Sequence, residues 1–154
     1  MSISYQLFGP EASDFLSELQ AQSFQEATEQ VWSVQEIATL LQDADIFSLV
    51  VSEHNIPVGF VMWRQVGAEA EIFTLCILPG ERGKGYACQL LHEFYDYNRE
   101  KEVEEIFLEV RASNSAAISL YKKCGFKNVG RRKNYYRGDG QKRQDAIIMK
   151  YTLT

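Results

Sequence analysis

Residues Glu71–Gln89 read E-I-F-T-L-C-I-L-P-G-E-R-G-K-G-Y-A-C-Q. The run Ile72–Leu78 is unbroken and apolar, the pattern of a strand buried on both faces, and it stops at Pro79. Tyr86, Leu90, Leu91, Phe94 and Tyr97 then recur at the spacing of one helical face. Strand, tight basic loop and helix in that order aim unbonded backbone N–H groups and the positive end of a helix dipole at one spot. That is an anion site built from main chain, suited to a phosphorylated guest. Gly83 and Gly85 allow positive φ and close approach to a phosphate, Ala87 keeps the next position small, and Arg82 and Lys84 add charge. The loop is neither G-x-G-x-x-G nor G-x-x-x-x-G-K-[ST], and glycine-rich turns also open helices that hold no ligand. By itself the loop leaves both readings open.

Upstream, Ile3–Phe8 has the pattern of a short strand ended by Gly9-Pro10. Phe15, Leu16, Leu19 and Phe24 share one face of a helix expected over Glu11–Gln25, and Val34, Ile37, Ala38, Leu40 and Leu41 one face of a second over Ser33–Asp43. Ser33 with Glu36 forms a capping box at the start of the second. Strands follow over Ile46–Ser52 and Pro57–Val66, with turns at His54-Asn55 and Gly67-Ala68. Downstream, the long helix is expected to run to about Arg99 and Ile106–Val110 to form a second buried strand. Another helix, capped by Ser113 or Asn114, ends at Gly125 with Lys122 and Lys123 in its last turn. Phe126–Arg132 and Ala146–Leu153 close the chain as a strand pair around a Gly138-Asp139-Gly140 turn. The order describes one α/β sheet layered with helices, a single domain over residues 1–154.

Composition narrows the function. The net charge of −5 argues against nucleic-acid affinity and mildly favours a basic partner. Neither a signal peptide nor an apolar run long enough to span a bilayer is visible, so a cytoplasmic protein with no membrane partner is expected. Cys76, Cys88 and Cys124 contain no C-x-x-C; they read as neither a disulfide framework nor a zinc site, but as small apolar residues in a reducing compartment. His54 and His92 read as surface residues, and no metal is expected. The run Arg131-Arg132-Lys133 reads either as a solvated strand edge or as a contact to phosphate or to an acceptor.

Glu109 lies within Ile106-Phe107-Leu108-Glu109-Val110. An unpaired carboxylate there costs several kcal/mol unless it is solvated, paired or left protonated. It is either a general base or a residue turned by strand alternation to solvent or to a salt bridge with Arg111 or Lys84. Asn114 and Tyr121, seven residues apart on one helix, lie on the same side roughly 10 Å apart, a face that would line a cleft.

Arg82-x-x-Gly85-x-Ala87 between a strand and a helix resembles the pyrophosphate-binding motif of the GNAT superfamily of acyl-CoA-dependent N-acetyltransferases. Leu108-Glu-Val-Arg-Ala-Ser-Asn114 through Tyr121, Gly125-Phe126, Arg131-Arg-Lys-Asn-Tyr-Tyr136 and Asp145-Ala-Ile-Ile-Met149 look like the RimI type, the ribosomal-protein alanine N-acetyltransferases. The resemblance is close from Glu71 to Met149. It implies the GNAT fold, a mixed central sheet with helices on both faces, in which the central strand and the one starting near Ile106 splay apart. It further implies acetyl-CoA as co-substrate, contacted by Leu75, Cys76, Ile77, Arg82, Gly83, Lys84, Gly85, Tyr86, Ala87, Cys88 and Asn114. Glu109 would be the base, Tyr121 the proton donor to the departing thiolate, and backbone N–H groups around Leu75–Ile77 the oxyanion site. Trp32, Asn134, Tyr135 and Tyr136 would shape the groove for a protein N-terminus, that of a ribosomal protein. Val31-Trp32-Ser33 stands where relatives carry Pro-Trp-Ser, residues 25–31 form a longer segment, and Gln144 replaces the familiar Glu before Asp145. These departures touch the acceptor, which leaves another N-terminus, a lysine or a small amine as rival acceptors. A CoA-binding module without turnover is the rival of a different class.

Overall fold

The computed structural model describes residues 2–24, 31–137 and 143–153, with backbone alone at 136, 137 and 143. The expected Gly138-Asp139-Gly140 turn, residues 25–30 and the Tyr136 side chain lie outside the described residues. Seven strands form one sheet: β1 (Ile3–Phe8), β2 (Ile46–Glu53), β3 (Ile56–Val66), β4 (Glu69–Ile77), β5 (Glu105–Arg111), β6 (Lys127–Arg137) and β7 (Arg143–Thr152). Their order across the sheet is β1-β2-β3-β4-β5-β7-β6. Neighbours are antiparallel except β4 and β5, which are parallel.

The helices are α1 (Ser13–Ser23), α2 (Val34–Leu41), α3 (Tyr86–Glu100) and α4 (Ser115–Lys123), with single 3-10 turns at Pro10–Ala12 and Pro79–Glu81. α1 begins later than expected because Pro10 opens a 3-10 turn. The Ser33–Glu36 capping box is present at α2, and Asn114 rather than Ser113 caps α4, its Oδ1 accepting from Ala117 N–H at 3.1 Å. His54 and Asn55 both take positive φ, as a tight two-residue turn between antiparallel strands requires.

Strand alternation sorts the side chains into two cores. Trp63, Ile72, Ile106, Leu108 and Val110 pack under α3 and α4 with Leu90, Leu91, Phe94 and Tyr95. Phe60, Met62 and Cys76 pack on the other face with Leu16 of α1 and Ile37 of α2. A bulge sets Met62 opposite Thr74 and Trp63 opposite Ile72, so Phe73 is the extra residue of β4. Phe73 packs with the α1–α2 core, and Thr74 bonds to α1 on that same side.

Cys88 in the first turn of α3 and Cys124 at the end of α4 are joined as a disulfide, with Cα atoms 6.0 Å apart, while Cys76 is a buried free thiol. This corrects the reading of the cysteines from spacing alone. The partners are 36 residues apart, and they meet because α3 and α4 cover one core on the same face of the sheet. Tyr95 strengthens the junction by donating its hydroxyl to Cys124 O at 2.8 Å and stacking on Tyr151. Closing a loop of this length removes about 4 kcal/mol of unfolded-state entropy, so reduction with dithiothreitol is expected to lower the melting temperature by roughly 10 °C. Alkylation in denaturant without reductant should modify one thiol; modification of all three cysteines would contradict the pairing.

Candidate active site

β4 and β5 pair only over Glu69–Glu71 and Glu105–Phe107; β4 then runs on to Ile77 and β5 to Arg111 with no ladder between them. The strands part, as the resemblance implied. The main chain of β4 therefore turns an unpaired edge to the gap. Leu78 N–H donates towards β3, to Val58 O at 2.8 Å, so the alternate residues Leu75 and Ile77 direct their N–H groups into the gap. On that same side Ile77 O accepts from Arg82 Nε at 3.0 Å.

A cleft of about 820 Å³ opens there. Leu75, Cys76 and Ile77 line it from β4, Arg82, Gly83 and Gly85 from the loop, Ala87 from α3 and Asn114 from the cap of α4. Gly83 and Gly85 have φ of +79° and +85°, and a Cβ on either meets nothing within 4 Å, so glycine is needed for the left-handed backbone and the space above stays open. Gly85 caps α3 without a side chain, and the first helical bond runs from Gln89 N–H to Gly85 O at 3.1 Å. The N–H groups of Tyr86, Ala87 and Cys88 thus lack helical partners, which leaves the anion site that the glycine spacing indicated.

Several residues that the resemblance places at the cofactor have side chains engaged elsewhere. Arg82 lines the cleft, yet its guanidinium donates to the carbonyls of Ile77 and Ser23, bracing the end of α1 against β4 instead of meeting an anion alone. Lys84 pairs with Glu81 at 3.0 Å, Tyr86 is 7% exposed in the core under α3, and Cys88 is in the disulfide; none of these three side chains lines the cleft, so Tyr86 and Cys88 offer it main chain alone. Tyr121 is turned inward as well, 8% exposed with its ring edge-on to Phe126. The residues of α4 that line the cleft are Ala116, Ala117, Leu120 and Lys123, with Asn114 at its cap; Tyr121, one turn after Ala117, sits at the edge of that face with its ring packed in the core.

Glu109 lies elsewhere again, in a second recess of about 320 Å³ at the fork of β4 and β5, with Arg64, Glu69, Glu71, Phe107 and Arg132 among its walls. Ile106, Leu108 and Val110 face the α3–α4 core, so alternation turns Phe107 and Glu109 to the opposite face. The Glu109 carboxylate is 18% exposed and pairs with Arg132 Nε at 3.0 Å, not with Arg111 or Lys84. Asn134 takes φ of +57°, its N–H held by Asp145 at 2.9 Å; that hydrogen bond first, and Arg131 after it, hold the Asp145 carboxyl below the ordinary range. Tyr135 is left 51% exposed.

Sequence reasoning missed Ser23, Phe24, Pro79, Ala116, Ala117, Leu120 and Lys123 of the cleft. The signal for α4 was its run of small residues after Asn114. It also missed Gln20, fully buried, which donates to Thr74 Oγ1 at 3.3 Å and accepts from Trp32 N–H at 2.7 Å. Gln20 thereby ties the bulge of β4 to Trp32, whose ring meets Phe73 edge-on. Burial raises the Cys76 thiol to about 12, so it stays protonated. Among the described residues no group of three or more His, Cys, Asp or Glu is arranged to hold a metal, and no helix is long and apolar enough to cross a membrane.

A mixed sheet that forks between two parallel strands, with an uncapped helix N-terminus at the open end, is the architecture of acyl-CoA-dependent acyltransferases. The family profile described as acetyltransferase (GNAT) matches residues 13–126, and the chain belongs to that family as an acetyl-CoA-dependent N-acetyltransferase. It is 40% identical over 102 residues to the [ribosomal protein bS18]-alanine N-acetyltransferase of Haemophilus influenzae, covering 66% of this chain and 69% of that relative. The crystal structure of the ribosomal-protein-S18-alanine N-acetyltransferase from Escherichia coli superposes with a TM-score of 0.81 at 28% identity, over 98% of this chain and 95% of that one. Salmonella typhimurium yncA, solved with its cofactor acetyl-CoA, shares the fold at a TM-score of 0.82 and 15% identity, over 100% of this chain and 95% of that one.

Replacing Gln20 with Leu keeps the volume but strands Trp32 N–H, and is expected to cost about 2 kcal/mol in urea unfolding. A loss below roughly 0.5 kcal/mol would show that Gln20 is not the tie between α1, Trp32 and β4.

Proposed function

We propose that this protein transfers the acetyl group of acetyl-CoA to the α-amine of an N-terminal alanine, with ribosomal protein bS18 as the acceptor, in the cytoplasm. The observation that carries the transfer is the gap between β4 and β5, into which Leu75 and Ile77 direct amide N–H groups beside the uncapped start of α3. The acceptor is supported by the printed substrate of the relative at 40% identity and by the acidic net charge, which favours a basic peptide.

The cleft fits the co-substrate. Its left-handed glycines leave open space above backbone N–H groups, which suits a diphosphate, and Leu75, Ile77, Ala117 and Leu120 give apolar walls to a flexible arm that Asn114 borders. When bound, acetyl-CoA supplies a thioester-activated acetyl group. An acceptor α-amine has a pKa near 8 and arrives largely as ammonium, so Glu109 takes its proton, directly or through a water. The N–H groups of Leu75 and Ile77 face the position where negative charge develops on the carbonyl oxygen. Tyr121, one helical turn after cleft-lining Ala117, donates the proton that the departing sulfur needs. No thiol takes part, since Cys76 remains protonated and Cys88 and Cys124 are bonded. Trp32, Asn134 and Tyr135 shape the acceptor groove on the face of the sheet that carries Glu109, and Tyr136 is assigned to it from the sequence alone.

Incubation with acetyl-CoA and a peptide beginning Ala-Arg, beside the same peptide with a blocked N-terminus and an internal lysine, tests the reading by intact mass. Acetylation of the unblocked peptide alone is expected; transfer to the lysine, or to neither peptide, would contradict it. Glu109→Gln should lower kcat roughly 100-fold, and Tyr121→Phe roughly tenfold, with the acetyl-CoA Kd unchanged. Gly85→Glu puts a bulky anion on a left-handed glycine over the N–H groups and should weaken acetyl-CoA binding at least tenfold by calorimetry, about 1.4 kcal/mol.

A further inference from the structure

We propose that Arg132 is a positioning residue for the transfer, fixing the carboxylate of Glu109 from the neighbouring edge of the sheet; this rests on the reading of Glu109 as the base. Glu109 sits on β5 opposite Ile148 of β7, with Phe107 beside it on the same face, so its carboxylate is bordered by apolar groups and is only 18% exposed. A carboxylate so placed is oriented by a cation held against it. Among the described residues Arg132 is the only one ion-paired to it, Nε to Oε1 at 3.0 Å. The other arginine of the recess, Arg64, is paired with Asp43, and the preceding Arg131 is committed to Asp145 at 2.6 Å.

Arg132 is itself held. Its guanidinium carbon lies 5.3 Å from the centre of the Tyr135 ring, so the plane is flanked by an aromatic face and a carboxylate. Tyr135 in turn owes its position to the irregularity in β6, where the pairing with β7 shifts register between Arg132 and Tyr136 and Asp145 holds the N–H of left-handed Asn134. The strand that borders the acceptor groove is thereby coupled to the base through one side chain. Arg132 touches neither reacting atom; it sets where Glu109 points when the ammonium arrives.

A double-mutant cycle tests this with the full-length protein, acetyl-CoA and the Ala-Arg peptide. Arg132→Gln is expected to lower kcat roughly 10- to 30-fold while the acetyl-CoA Kd stays unchanged, and Arg132→Lys, which keeps the charge, to recover most of the loss. In a Glu109→Gln background the same Arg132→Gln change should cost less than a factor of about two, because nothing is left to position. An equal loss in both backgrounds would mean that Arg132 acts elsewhere, and an unaltered rate for Arg132→Gln would overturn the proposal directly. If Glu109→Gln alone leaves the rate untouched, the base assignment itself falls and takes the proposal with it, an outcome distinguishable because it appears without any change at Arg132.

Discussion

Everything chemical about this fold depends on two parallel strands that stop pairing. After Glu71 and Phe107, β4 and β5 diverge, and a buried strand edge that would normally be satisfied by its neighbour is left with N–H groups directed at a gap. Such an opening is costly unless other bonds hold it. β3 pairs with β4 along one side from Glu69 to Ile77, β7 pairs with β5 along the other through Arg111, and neither strand can slide to close the fork. Arg82 clamps the open end from above by linking Ile77 O to Ser23 O, and the Cys88–Cys124 bridge joins the helices behind it. The cleft is therefore a preformed feature of the sheet, and a guest replaces missing strand contacts without displacing existing ones.

The same fork separates two recesses on opposite faces of the sheet. The larger cleft opens among α3, α4 and the loop, where glycine and small residues leave backbone donors accessible. The recess carrying Glu109 opens on the opposite face, where charged residues gather at the start of the gap. Strand alternation makes this division: Leu108 and Val110 secure β5 to the core, and Glu109 between them must face the other way. Gln20 plays the matching part on that second face, joining Trp32 to the bulge of β4 through a fully buried amide.

What the sequence made legible was local. The strand, glycine loop and helix of Glu71–Gln89, the capping box at Ser33 and the cap at Asn114 are set by neighbours within a few residues, and the structure shows each of them. The parting of the strands came only with the family resemblance, since no periodicity records the point at which two parallel strands diverge. What stayed hidden needed tertiary contact. Cys88 and Cys124 are far apart in the chain, Glu109 finds its cation on a strand two places across the sheet, and Arg82 spends its donors on carbonyls that only the fold brings near. Tyr121 shares its side of α4 with Asn114 and Ala117, which line the cleft, while its ring packs into the core, a depth of burial that helical spacing alone does not record.

The most direct test of the central claim is a crystal structure with acetyl-CoA bound. The diphosphate should lie against the N–H groups of residues 83–87, and the thioester oxygen within about 3 Å of the Leu75 or Ile77 amide nitrogen, in the gap. A donor seated outside the gap, with those amides still facing solvent, would contradict the account.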